Sequence, residues 1–118
     1  MTRDAFNAFC KSLPHTTHVV QWGGSDVWKV GGKVFAICGL GTTDTPGITF
    51  KVSEMAFDIL RDAPGIRPAP YMASRGLKWL QVTEPGAMSQ DSLQDHLVAS
   101  YDMVVAGLTK KNRLALGL

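Results

Sequence analysis

Apolar positions change their spacing several times along this chain, and each change marks an element. Phe6, Phe9, Cys10 and Leu13 recur at helical intervals behind Thr2, a good N-cap, so a first helix is expected up to Pro14. From Thr16 the residues turn β-branched and aromatic, and Val19, Val20 and Trp22 end at Gly23-Gly24. Val27–Val30 and Lys33–Cys38 then flank Gly31-Gly32. Two glycines between β-rich runs predict a tight hairpin, because the turns that match strand twist need φ > 0 at one or both central positions. Ile48–Val52 reads as a fourth strand, and Ser53 caps a short helix with Met55, Ala56, Ile59 and Leu60 on its inner side.

Further on, Pro64, Gly65, Pro68 and Pro70 break the stretch from Ala63 to Pro70, where no regular structure is expected. Leu77–Val82 is a last strand, closed by Pro85-Gly86. Ser89 opens the longest helix, with Leu93, Leu97, Tyr101, Val104 and Leu108 as its apolar stripe. After it come the basic run Lys110-Lys111-Asn112-Arg113 and a terminal apolar run consistent with one more helical turn. The order α-β-β-β-β-α-β-α predicts an α+β fold, a mainly antiparallel sheet with helices packed on it. Neither a repeat nor a long linker divides the chain, so one domain over residues 1–118 is expected.

Composition narrows the classes without choosing a function. With 118 residues, 45% of them hydrophobic and 19% charged, the chain can fill one core, which excludes disorder, collagen and coiled coil. Cys10 and Cys38 are too few for a disulfide scaffold and read as small buried hydrophobes. Met1-Thr2-Arg3-Asp4 is not followed by the apolar run of a signal peptide. Nor does any apolar run approach the ~20 residues that cross a bilayer. A cytoplasmic location and no membrane partner are the expectation.

Catalytic patterns fail one at a time. His15 and His18 stand three apart around a strand start, which turns them to opposite faces, and His96 lies mid-helix beside Asp95. Gly39-Leu40-Gly41 lacks the Lys-Ser/Thr of a phosphate loop and leads to Pro46 and a strand rather than a helix. There is no Gly-x-Ser-x-Gly, and Cys10 falls on the buried stripe of its helix. Glu84 and Asp91 flank a loop with no cleft that sequence can show. A non-enzymatic protein is expected, with no catalytic residue, no metal and no cofactor.

Charge carries more information than its total. The formal net charge is +2, from 12 Lys and Arg against 10 Asp and Glu. Eight of those twelve cations occupy three acid-free stretches: Lys29 and Lys33; Arg67, Arg75 and Lys78; Lys110, Lys111 and Arg113. Five acids, Asp58, Asp62, Asp91, Asp95 and Asp102, fall on helices instead. A near-neutral total can therefore hide a polarised surface suited to phosphates, and the plainer alternative is loop cations that are merely solvated. In the hairpin, a two-residue turn pairs Val30 with Lys33 and Trp28 with Phe35. Trp28, Val30, Lys33, Phe35 and Ile37 are then expected on one face, with Val27, Lys29, Val34, Ala36 and Cys38 on the other. Trp79 beside Lys78 reads either as a base-stacking ring next to a phosphate contact or as packing.

Val30-Gly31-Gly32-Lys33-Val34-Phe35-Ala36, Phe50-Lys51-Val52, Arg67-Pro68-Ala69-Pro70-Tyr71, Lys78-Trp79 and Ser100–Val105 follow one another in an order that resembles the MmcQ/YjbR family. The likeness runs from the Pro14 region to Lys111, with Ala73–Leu77 longer than the family's usual approach to Lys78-Trp79. It implies a small bacterial α+β domain akin to frataxin-like and secretion-chaperone-like folds. Family members are described as DNA-binding proteins with a double-wing motif, a description that rests on fold-level analogy.

The expected function is therefore double-stranded DNA binding, with Lys29, Lys33, Lys51, Arg75, Lys78 and Trp79 as the contact residues. A second expectation is a module that binds a protein, a peptide or a second copy through a chaperone-like sheet surface or the proline-rich loop 63–71, with Trp28, Tyr71 and Trp79 as exposed anchors.

Overall fold

A computed structural model describes residues 1–39, 47–70, 72 and 76–118. Its elements are α1 (Arg3–Ser12), β1 (Thr16–Gln21), β2 (Ser25–Val30), β3 (Lys33–Cys38), β4 (Ile48–Lys51), α2 (Glu54–Leu60), β5 (Ile66–Pro68), β6 (Trp79–Val82), α3 (Gln90–Ala106) and α4 (Lys110–Ala115). The six strands form one antiparallel sheet in the order β1-β2-β3-β4-β6-β5. The fold is α+β, as the hydropathy pattern predicts.

Local chemistry sets the helix starts. The hydroxyls of Thr2, Ser53 and Ser89 accept from the backbone N–H groups of Ala5, Ala56 and Ser92, each at 3.1 Å. Every cap removes one of the orphan donors of a first turn. α3 packs over β3 and β4, α1 over β1, and α2 against β5, all on one face of the sheet. Phe6, Phe35, Phe50, Leu80 and Leu97 are fully buried between these layers.

One expected helix face and three expectations about the path of the chain need correction: in α2, Met55 and Ile59 are exposed, and Phe57 is buried with Ala56 and Leu60 packed beside it. A short strand, β5, forms inside the proline-rich stretch, with Ile66 opposite Val82 and Pro68 opposite Leu80. It is the outermost strand and only three residues long, and an edge tolerates a proline that donates no ladder hydrogen bond. The basic run Lys110–Arg113 is itself helical, within α4, and Thr109 caps it through a bond from Asn112 N–H at 3.1 Å.

The third correction concerns the hairpin. Gly31 and Gly32, at φ 59° and 79°, form the two-residue turn, and Val30 pairs with Lys33. Beyond Lys29↔Val34 the register shifts, so Trp28 faces Ala36 and Phe35 is the extra residue of a β-bulge. Ala36 and Cys38 therefore share the helix-covered face with Trp28 and Val30, and Ile37 joins Val27 on the other. The β3–β4 ladder stops at Ala36 and Phe50. Ser100 of α3 continues it: its hydroxyl donates to Phe35 C=O at 2.7 Å and accepts from Lys51 N–H at 2.9 Å.

Across the face opposite the helices runs one row of paired residues, Val19-Val27-Ile37-Thr49-Gln81-Arg67, one from each strand. Val27, Ile37, Thr49 and Gln81 in this row are fully buried. Gln81 Nε2 donates to Thr49 Oγ1 at 3.2 Å, and Gln81 Oε1 accepts from Arg67 Nε at 2.9 Å. The buried amide is thereby satisfied, as burial of a polar group requires.

Candidate nucleic-acid interface

The strand register sorts the charged residues to two ends of the sheet. One end, marked by the Gly31-Gly32 turn, gathers the start of β1, the end of β2, the start of β3, the end of β4 and the start of β6. The helices reach the same end. Gly31 sits so close under Leu108 that a Cβ there would lie 2.6 Å from Leu108 Cδ1. Tyr101 Oη donates to Pro14 C=O at 2.6 Å, and Thr16 Oγ1 donates to Cys10 C=O at 3.0 Å. Leu108 immediately precedes the Thr109 cap, so this contact brings the start of α4, which carries Lys110 and Lys111, to the same end of the sheet as the hairpin tip that carries Lys33. Lys11, in the last turn of α1, lies at this end as well.

Of the six residues expected to contact DNA, four cations lie here and are at least partly open to solvent. Lys33 is exposed at the tip, and Lys29 and Lys51 are half-buried on β2 and β4, on the face away from the helices. Lys78 also reaches this end, but its Nζ lies 4.7 Å over the Phe57 ring, which Arg61 approaches to 5.0 Å. The Lys78 ammonium is thus already held by an aromatic face. Trp79 is 7% exposed, so its ring is packed inside rather than available for base stacking. Arg75 and Tyr71 lie outside the described residues.

Burial also removes the exposed-anchor expectation for Trp28, which is 6% exposed. Its Nε1 donates to Asn7 Oδ1 at 2.9 Å, and the His18 ring lies 4.8 Å away. Trp22, at the β1–β2 turn, is the tryptophan that reaches solvent, 53% exposed. Lys11, Lys110 and Lys111 carry no local sign that they share an end with Lys33, because the Thr16–Cys10 bond and the Gly31–Leu108 contact bring their segments there from elsewhere in the chain. The one local signal for that end was the glycine pair itself.

The opposite end of the sheet carries Asp26 and ties it into the fold. Asp26, 8% exposed, accepts from Arg3 Nε at 2.6 Å on one oxygen and lies 2.8 Å from His18 Nε2 on the other. Arg3 also donates to Gly24 C=O and Cys38 C=O. Burial pushes the Asp26 carboxyl up, but hydrogen bonds from His18, Asn7 and Arg3 and the Arg3 charge outweigh it. The carboxyl is held below the usual range. These are the only ion pairs among the described residues.

Neither cysteine is poised for chemistry: burial, with Cys38 nearby as the lesser cause, pushes the Cys10 thiol up to about 12, and burial also raises Cys38. His96 stacks on Phe50 at 5.2 Å, and burial lowers its basicity against the pull of Asp95. Among the described residues no three His, Cys, Asp or Glu side chains converge as a metal ion would need.

The family model YjbR matches residues 11–103, most of the chain. The chain belongs to the YjbR family. A structural relative supports the same placement: the crystal structure of Deinococcus radiodurans protein DR2400, with the family-model domain DUF419. It superposes with a TM-score of 0.83 at 29% identity, over 99% of this chain and 88% of that one. No curated protein matches the chain. The matched YjbR region contains the hairpin, the bulge and Ser100, while α4 with Lys110, Lys111 and Arg113 lies beyond it. Among the described residues no helix is long and apolar enough to cross a membrane.

Proposed function

We propose that this YjbR chain is a non-enzymatic DNA-binding protein of the bacterial cytoplasm, which holds the phosphate backbone of double-stranded DNA with the hairpin end of its sheet. One observation carries the reading: the seat of Gly31 under Leu108 brings two acid-free basic stretches, one with Lys33 and one with Lys110 and Lys111, to one end of the sheet. Lys29, Lys51 and Lys11 extend the same positive end along the sheet and α1. Clustered ammonium groups displace the counterions condensed on a duplex, which supplies affinity without reading sequence. Base readout is no part of the proposal, since Trp79 is inside the protein.

Fluorescence anisotropy with a short duplex tests this. Nonspecific binding with Kd on the order of 10⁻⁴–10⁻⁶ M at physiological salt is expected, weakening steeply as salt rises. The double variant Lys33→Glu/Lys111→Glu should flatten the salt slope by roughly one unit per lost phosphate contact. A duplex that fails to bind the wild type even at low salt would sink the proposal.

A further inference from the structure

The two edges of the sheet are protected very differently. β5 is three residues long, ends on Pro68 and carries Arg67, which are the usual devices that stop an edge from recruiting another strand. β1 has none of them. Its six residues, Thr-Thr-His-Val-Val-Gln, include no Lys, Arg, Asp, Glu or Pro, and their pairing with β2 runs without a bulge. The strand is exposed along most of its length, with Val19 37% and Val20 58% open to solvent on opposite faces, and Trp22 follows at 53%.

We propose that β1 is a self-association edge on which a second copy of this chain pairs its own β1, antiparallel, about a two-fold axis perpendicular to the sheet. The charge pattern selects this occupant. α1 lies beside β1 and starts at the acidic end of the sheet with Asp4, then finishes at the basic end with Lys11. A perpendicular two-fold keeps both α1 helices on one side of the joined sheet and runs them antiparallel. Asp4 of each copy then approaches Lys11 of the other, and the basic end of one sheet lies against the acidic end of its mate. A strand with no charge of its own offers nothing to a phosphate backbone or an ionic peptide. Self-pairing satisfies its open N–H and C=O groups and closes the assembly at two.

The same geometry uses a recess of about 470 Å³ between α1 and β1, lined by Asn7, Ala8, Lys11, Thr16, His18 and Trp28. It opens along the edge that the second copy would cover. This inference does not rest on DNA binding: the two share only Lys11, and the Val19 and Val20 variants and the oligomeric state read it without any duplex present.

Sedimentation velocity over a wide range of protein concentration tests it. The wild type is expected to form a dimer, and Val19→Lys/Val20→Lys to weaken dimerisation at least tenfold, since edge lysines oppose strand addition. A wild type that stays monomeric at the highest concentration overturns the proposal, as does a folded lysine variant that dimerises like the wild type. Should that variant fail to fold, a charge swap decides. Asp4→Lys and Lys11→Asp should each weaken the dimer roughly threefold to tenfold, as two symmetric surface pairs allow. The double swap should restore it, and a swap that restores nothing overturns the proposal.

Discussion

The two ends of the sheet are built with different interactions, although both contain charged residues. At the Asp26 end a carboxylate ties α1 to β1 and β2 through Arg3 and His18, and Arg3 reaches two backbone carbonyls besides. At the hairpin end the ties are neutral: Ser100 between Phe35 and Lys51, Tyr101 Oη on Pro14, and Gly31 under Leu108. Among the described residues the cations there form no ion pair, and Lys78 rests on the Phe57 ring. A charge consumed by the fold and a charge left over look the same in a composition. Only the left-over ones are available to a partner.

Breaking a neutral tie should cost most. Ser100→Ala removes the one group that satisfies both Phe35 C=O and Lys51 N–H, in a site with no solvent exposure. Two buried backbone groups would lose their partner, for a loss of about 3 kcal/mol, read from urea unfolding. That loss should be independent of salt and of pH between about 6 and 8, since no ionised group takes part.

Asp26→Ala comes next, at about 2 kcal/mol, because charged hydrogen bonds are lost while Arg3 remains partly solvated. Here pH matters. The folded carboxyl titrates below its ordinary value, so its contribution is complete at neutral pH and disappears as pH falls through the carboxylate range, below about 4. Wild type and Asp26→Ala should therefore converge in stability as the solution is acidified, and parallel curves would show that the carboxylate is not what holds this end.

The sequence made the local chemistry legible and the assembly less so. Thr2, Ser53 and Ser89 announce their helices, and Gly31-Gly32 announces the turn, because caps and φ > 0 positions depend on neighbours in the chain. The bulge at Phe35 has no such signature: Lys33–Cys38 is β-rich in either register, and the group that receives the Phe35 carbonyl, Ser100, lies 65 residues away in the chain. One extra residue was enough to exchange the faces of Ala36, Ile37 and Cys38 relative to Trp28, while Phe35 stays on the helix-covered side against Tyr101. β5 was hidden because its partner comes later in the chain and its prolines argue against a strand. The positive end was visible only as separate stretches, and Lys78 and Trp79 changed meaning once Phe57 and the buried row took their places beside them.

The neighbouring glycines sharpen the comparison on a finer scale. Both have positive φ, so alanine strains each by about 1 kcal/mol. Only at Gly31 would the added methyl also meet Leu108, since nothing lies within 4 Å of the site at Gly32. Gly31→Ala should therefore exceed Gly32→Ala by about 1 kcal/mol in thermal or urea unfolding. Equal losses would mean that the Leu108 seat does not fasten the hairpin tip to α4.

The smallest stability effect is expected where the proposed function lies. Lys33, Lys110 and Lys111 are exposed and form no ion pair with any described residue. Reversing one of them should change stability by no more than about 0.5 kcal/mol, the ordinary range for such surface positions. The sign is informative as well. Lys33→Glu places a negative charge among several lysines, which relieves their mutual repulsion, so a slight gain that shrinks with added salt is expected. At Asp26 a charge reversal would do the opposite, because Arg3 and His18 are already committed to the carboxylate. A Lys33→Glu loss as large as that of Asp26→Ala would show that the hairpin cations are part of the fold after all, and the distinction between the two ends would fail.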